Sequence, residues 1–268
     1  DLTRKDVCDH IVDIVSKCLK ENDIDYVKWD MNRSLTENYT AHLGNRGKEF
    51  AHRYVLGFYD ICERIINGFP KIFFEGCASG GCRFDPAMLY YFPQIWTSDN
   101  TDALARCAIQ YGTSLCYPIS SMSCHVSVCP NHQNGRVTEL RSRTDVASLG
   151  ATGYELDPRN FTKDEIESIK VDTSAHLERE HLILGGDLYR LSYPDNDKLF
   201  AEQIVSKDKK ESYIVIMRPL CKANGIANRV YPRGLSNDML YRIEELGGLM
   251  LYGSTIMNVG LLINFEQG

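Results

Sequence analysis

Apolar positions along this chain recur with two periods, and the two periods take turns. Val7, Ile11, Ile14, Val15, Cys18 and Leu19 fall mostly three or four residues apart, the spacing that gathers side chains on one helix face. Thr3, with Asp6 three residues on, predicts an N-cap and an acid in the first turn. The run NDIDYVKWD then switches to strand character. A second amphipathic helix is predicted from about Gly47 to Asn67, with Phe50, Tyr54, Phe58, Ile61 and Ile65 on one face. KIFFEGC and PQIWTSD read as further strands, DALARCAIQYG as a short helix and TSLCYPIS as a fourth strand. ELRSRTDVASLGATGYELD reads as a helix leading into a strand near Thr152 to Leu156. The next helix is predicted from Thr162 to Leu184, opened by Thr162 with Glu165 at the third position, the capping-box spacing.

Strand and helix therefore alternate through residue 156, which predicts a parallel α/β sheet, wound open or closed as a barrel. After Gly185 the character changes. LFAEQIV, the charged tip SKDKKE and SYIVIMRPL form a hairpin pattern, and LMLYGSTIMNVGLLINF reads as more strands. The expected organisation is a barrel-type domain over residues 1–184 and a small antiparallel β domain over residues 185–268.

Composition narrows the classes. The 268 residues are 43% hydrophobic and 25% charged, with a net charge of −6, which suits an ordinary globular protein. An acidic balance without a basic stripe argues against nucleic-acid binding. No apolar run is long enough to span a membrane. The chain opens on the polar DLTRKD without an export signal, and most of its ten cysteines sit in apolar or amphipathic runs. Both features favour reduced, buried thiols and a cytoplasmic location. Cys77 with Cys82, and Cys124 with Cys129, form C-x4-C pairs, the second near His125 and His132. Zinc sites use tighter, paired spacing, so no metal and no cofactor are expected.

The polar residues at the strand ends carry the chemistry. Alternation in DYVKWDMNR puts Lys28, Asp30 and Asn32 on one face and Val27, Trp29 and Met31 on the other. Strands covered on both faces should be almost wholly apolar. Charges at the C-terminal end of such a strand lie where α/β folds build their sites. FFEGCASGGCRFD ends the next strand with Glu75 and Cys77, then turns through Gly80 and Gly81, which permit close approach of a ligand to the backbone. WTSDNTD supplies Trp96, Asp99 and Asp102 directly before a helix, and Asp102 sits nearest the helix body, where it suits a cap. Glu75, His125 and His132 suit structural roles, and Arg83 suits an ion pair with a neighbouring carboxylate. Paired carboxylates beside an aromatic ring fit glycoside hydrolysis. One ionised carboxylate attacks or stabilises the anomeric carbon, and a protonated one donates to the leaving oxygen.

YVKWDMNR, FEGCASGGCRFD, YYFPQIWTSDNTDA, QYGTSLCYP and HVSVCPNHQNGR together resemble the motifs of glycoside hydrolase family 36, the α-galactosidases, in that family's order and at about its spacing. The resemblance implies a partial (β/α)8 TIM barrel of about five βα units, the family's fourth to eighth strands, followed by a small antiparallel β domain. It implies a retaining α-galactosidase that releases terminal α-linked galactose from melibiose- or raffinose-like oligosaccharides through a covalent galactosyl-enzyme intermediate. Position by position, Asp30 matches the nucleophile and Asp99 the general acid/base. Lys28 and Asn32 match sugar-binding positions, Cys77 and Gly80 the strand-end loop on the galactose, and Trp96 the aromatic wall. The family's tendency to tetramers implies a homo-oligomer.

The same carboxylates would serve galactosyl transfer of the raffinose-synthase type, the alternative enzymatic reading. A further alternative is an inactive fragment or sugar-binding remnant, because the family's first three strands and its paired-aspartate motif are expected to lie upstream of this segment. A sheet of only five such strands is expected to leave edges unpaired and apolar surface uncovered.

Overall fold

A computed structural model describes residues 1–32, 35–78, 83–192, 199–219 and 228–263. It divides into two compact units, Asp1–Asp99 and Asn100–Gly268.

In the first unit, α1 (Lys5–Glu21) leads to β1 (Tyr26–Asp30), α2 (Phe50–Gly68), β2 (Phe73–Cys77), α3 (Pro86–Tyr91) and β3 (Gln94–Trp96). The periodic stripes behave as their spacing dictates. Val12 and Leu19 of α1 pack with Phe58, Ile61 and Ile65 of α2 over Phe74 and Ile95 of the strands. Thr3 is not the cap of α1. Its hydroxyl turns back to Asp1, and Arg4 takes the cap position without a side-chain bond. The helix α3 went unforeseen, although FDPAML carries its marks: Pro86 stands in the first turn, and the Asp85 carboxylate accepts from the amides of Ala87 and Met88 at 2.9 Å each. The three strands are parallel, with Lys28 beside Glu75, Asp30 beside Cys77, and Glu75 beside Gln94. β1 lies at the end of the strand order. A groove of about 540 Å³ runs along it, lined by Ile14, Val15, Leu19, Tyr26, Val27 and Trp29. Ile14 is 55% exposed there.

Gly57 sets how closely α2 approaches the chain start. A Cβ on it would lie 1.9 Å from the Leu2 carbonyl oxygen, a backbone atom with little room to retreat. Gly57→Ala is therefore expected to destabilise this unit by about 2 kcal/mol, despite alanine's better helix propensity. Denaturant titration of both proteins measures the difference.

The second unit opens with α4 (Ala103–Ser114), β4 (Met122–Ser127), α5 (Leu140–Ala147), β5 (Ala151–Glu155) and α6 (Lys163–Gly185). The strand expected at TSLCYPIS is absent. α4 runs through Ser114, the Tyr117 amide bonds back to Thr113 at 3.0 Å, and the strand starts only at Met122. Pro118, without an N–H, cannot join a ladder, and Leu115 is 63% exposed. The capping box at α6 is complete: the Thr162 amide donates to Glu165 Oε2 at 2.9 Å, and the Glu165 amide to Thr162 Oγ1 at 3.2 Å. The parallel strands β1 to β5 follow one another in sequence order.

Beyond α6 the strands are antiparallel. β6 (Asp187–Ser192), β7 (Phe200–Val205) and β8 (Ser212–Met217) form one sheet with β7 central, which contains the expected hairpin. β9 (Asn228–Val230) pairs with β12 (Leu261–Ile263), and β10 (Leu240–Ile243) with β11 (Leu249–Tyr252). Between β11 and β12 the expected strand is instead a helix, α7 (Gly253–Val259). Gly253 begins it because a Cβ there would lie 2.0 Å from the Ser236 carbonyl oxygen, and Gly260 ends it at φ +76°.

Glu202 of β7 is fully buried, and neither of its oxygens has a hydrogen-bond donor in good geometry. Burial pushes its carboxyl up to about 7, with Arg190 and Ser114 offsetting only part of that. The folded chain thus holds a proton that the unfolded chain releases above the ordinary carboxyl value. Stability from this residue is intact below about pH 4.5 and falls as pH rises through about 7. Glu202→Gln is expected to match the parent at pH 4 and exceed it at pH 8 by roughly 3 kcal/mol at most, seen as a raised melting temperature at pH 8 alone.

Candidate active site

The residues singled out from the sequence converge on the first unit. Register and alternation build one polar face in rows. Tyr26 and Phe73 stack at the bottom, with ring centroids 6.1 Å apart and planes 8° from parallel. Lys28, Glu75 and Gln94 form the next row, and Asp30 and Cys77 the row at the C-terminal ends of β1 and β2.

Asp30 is exposed at the end of β1, and Asn32 Nδ2 donates to its Oδ2 at 3.0 Å. Asp99 is exposed just beyond β3, and Trp96 Nε1 donates to its Oδ1 at 3.0 Å. Each carboxylate is therefore oriented by a neutral N–H donor from a neighbouring residue. Trp96 itself is only 3% exposed. The Lys28 ammonium lies 4.4 Å from its ring centroid, so one ring face is taken by a cation. Lys28 shares a strand face with Asp30, but its ammonium meets the Trp96 ring and Glu75, whose Oε1 is 3.7 Å from Lys28 Nζ.

Glu75 is completely buried, and its Oε2 accepts from the Tyr26 hydroxyl and, at 2.9 Å, from Gln94 Nε2. Burial first, then the Glu75 carboxylate, raises the Tyr26 phenol, which keeps its proton as a donor. Cys77 is buried, and its carbonyl accepts from the Met31 amide at 3.2 Å and from the Arg83 guanidinium. Arg83 also donates to the Met31 carbonyl. It was expected to pair with a carboxylate. Instead it bridges two backbone carbonyls, those of Met31 and Cys77 at the C-terminal ends of β1 and β2. Burial works against its charge, and the nearby Cys77 and Asp30 partly restore it. Gly80 lies outside the described residues.

Asp102 takes the N-cap position of α4, but its carboxylate accepts from Arg136 Nε at 3.1 Å rather than from helix amides. Asn131 Nδ2 donates to Thr101 Oγ1 at 3.0 Å and ties down the same polar loop. His125 Nδ1 lies 3.6 Å from Glu155 Oε2. No local pattern reveals the Glu75–Gln94 bond or Arg83's double bridge. Only strand register brings those residues together.

Parallel strands followed by helices, with polar side chains gathered at the strand C-termini, define the chain as part of a (β/α) barrel. The Melibiase family model matches residues 1–186, and the glycosyl hydrolase family 36 C-terminal domain matches residues 200–268. The chain belongs to glycosyl hydrolase family 36, and its fold is a partial TIM barrel followed by a β domain. Alpha-galactosidase AgaA of Geobacillus stearothermophilus is 44% identical over 268 residues, covering 100% of this chain and 36% of that protein. Alpha-galactosidase Mel36A of Lactobacillus acidophilus is 39% identical over 272 residues, covering 100% of this chain and 36% of that protein. The crystal structure of AgaA matches with a TM-score of 0.96 at 44% identity, over 100% of this chain and 37% of that one. Variants of AgaA solved with raffinose and with stachyose match with the same TM-score at 43% identity and the same coverage. This chain thus spans a little over a third of the length of these relatives.

Proposed function

We propose that this chain carries the catalytic carboxylates of a retaining α-galactosidase acting on raffinose- and stachyose-like oligosaccharides. The observation that carries the reading is the pair Asp30 and Asp99. Both are exposed carboxylates at strand C-termini of one unit, and each is oriented by its own N–H donor.

Asp30 is the nucleophile. It attacks the anomeric carbon, and the glycosidic bond breaks as the galactosyl ester forms. Asp99 is the general acid that protonates the departing oxygen. It then serves as the base that takes a proton from the water that hydrolyses the ester. Asn32 holds the Asp30 carboxylate in one orientation without adding charge, and Trp96 does the same for Asp99. Lys28, Asn32, Cys77, Gly80 and Trp96 are the proposed galactose-facing residues. Arg83 supports the site by fixing the carbonyls behind Asp30.

The domain boundary at residues 184/185, a homo-oligomeric assembly and a cytoplasmic location belong to the same proposal. The change from parallel to antiparallel pairing after α6 supports the boundary. The groove beside β1, lined mainly by apolar side chains together with Lys28 and Asp30, supports association with further polypeptide. The buried free thiols Cys8, Cys62, Cys77, Cys107 and Cys124 suit a reducing compartment. No helix among the described residues is long and apolar enough to cross a membrane.

The test is hydrolysis of a chromogenic α-galactoside by the purified chain, with proton NMR of the released sugar. Release of the α-anomer first is the expected result. Release of the β-anomer first would overturn retention, and absence of hydrolysis would overturn the reading that this chain suffices.

A further inference from the structure

Glu75 is a fully buried carboxylate that the mechanism above does not use. Burying such a group is costly unless it is held by partners. Its Oε2 is fixed from both sides: the Tyr26 hydroxyl donates from β1, and Gln94 Nε2 donates from β3 at 2.9 Å. Its Oε1 accepts no hydrogen bond and faces Lys28 Nζ at 3.7 Å. The carboxylate is therefore the fixed member of the pair. Lys28, on a flexible four-carbon stem, is the member that adapts.

The consequence passes upward through the rows of the face. With Glu75 beneath it, the Lys28 ammonium sits 4.4 Å from the Trp96 ring centroid. Trp96 in turn donates to Asp99 Oδ1 at 3.0 Å. We propose that Glu75 is a positioning residue: it anchors Lys28 against Trp96 and so sets the orientation of the indole N–H that holds Asp99. The proposal rests on the glycosidase reading for its kinetic effect, but not for the Glu75–Lys28–Trp96 coupling itself. A purely structural Glu75 would make its hydrogen bonds to Tyr26 and Gln94 and leave Lys28 indifferent.

The test is a double-mutant cycle read in two ways. The chain contains two tryptophans, so Trp29→Phe leaves Trp96 as the only tryptophan, read by excitation that tyrosine does not absorb. In that background, Glu75→Gln, Lys28→Met and the double variant are compared by Trp96 emission without any ligand, and by kcat and KM on an aryl α-galactoside. Glu75→Gln is expected to lower kcat by about tenfold to a hundredfold, with KM changed much less. In the Lys28→Met background the same change is expected to cost less than about threefold. Trp96 emission should shift in Glu75→Gln toward that of Lys28→Met, and should not shift further in the double variant.

Equal losses in both backgrounds, or an emission unmoved by Glu75→Gln, would overturn the proposal. A parent without hydrolytic activity would overturn the reading that this chain suffices for hydrolysis, and the emission cycle would still decide the coupling. Should Glu75→Gln not fold, Glu75→Asp replaces it. That variant keeps the charge but withdraws the carboxylate by one methylene, and the same shift and the same non-additivity are expected.

Discussion

Asp30→Ala is expected to lower kcat/KM for an aryl α-galactoside by about 10⁴-fold while leaving the melting temperature near that of the parent. The separation of the two effects follows from the residue's position. Asp30 is exposed at the end of β1, its backbone continues the ladder beside Cys77, and its side chain takes a hydrogen bond from Asn32. Truncation removes no packed atoms. On the proposed mechanism it removes the group that forms the ester, and no other step can replace that bond. A small anion such as azide, filling the space left, should restore turnover and yield the β-galactosyl azide, because it attacks from the face Asp30 occupied. Rescue with the α-azide would assign Asp30 the other role.

Asp99→Ala is the second large effect, and its size depends on the leaving group. Raffinose hydrolysis should fall by about 10³-fold, because a sugar alkoxide needs a proton to depart. A dinitrophenyl α-galactoside needs little protonation, so the first step should be nearly spared and the galactosyl-enzyme should accumulate as a burst. Azide should then give the α-product. Trp96 Nε1 loses its acceptor in this variant, so a small change in tryptophan emission should accompany the kinetics. An equal loss on both substrates would contradict a proton-transfer role.

Much of this was legible in the sequence, for identifiable reasons. The stripes of α1, α2 and α6 follow helical spacing closely, and each lies within a residue or a few of its expected span. The alternation in DYVKWDMNR put Lys28 and Asp30 on one face, where the register carries them with Glu75 and Cys77. The failures are equally physical. TSLCYPIS looks like a strand by composition, yet α4 claims its first residues and Pro118 blocks a ladder. STIMNV looks like a strand too, but Gly253 and Gly260 frame a short helix whose closeness to Ser236 no local pattern reveals. Lys28 shares that face with Asp30 because both lie on one strand. Its partner Glu75 is 47 positions away and becomes a neighbour only through pairing of β1 with β2. Trp96, matched to the aromatic wall, is 3% exposed and also donates to Asp99, a contact that the sequence pattern does not reveal.

The central claim is that Asp30 becomes covalently bonded to galactose. The most direct measurement is reaction of the chain with 2-deoxy-2-fluoro-α-D-galactosyl fluoride, followed by proteolysis and mass spectrometry. The slow ester should increase the mass of the peptide containing YVKWDMNR by one fluorogalactosyl group, with fragmentation locating it on Asp30. A label on Asp99 or elsewhere, or turnover of α-galactosides with no labelled peptide at all, would contradict the account.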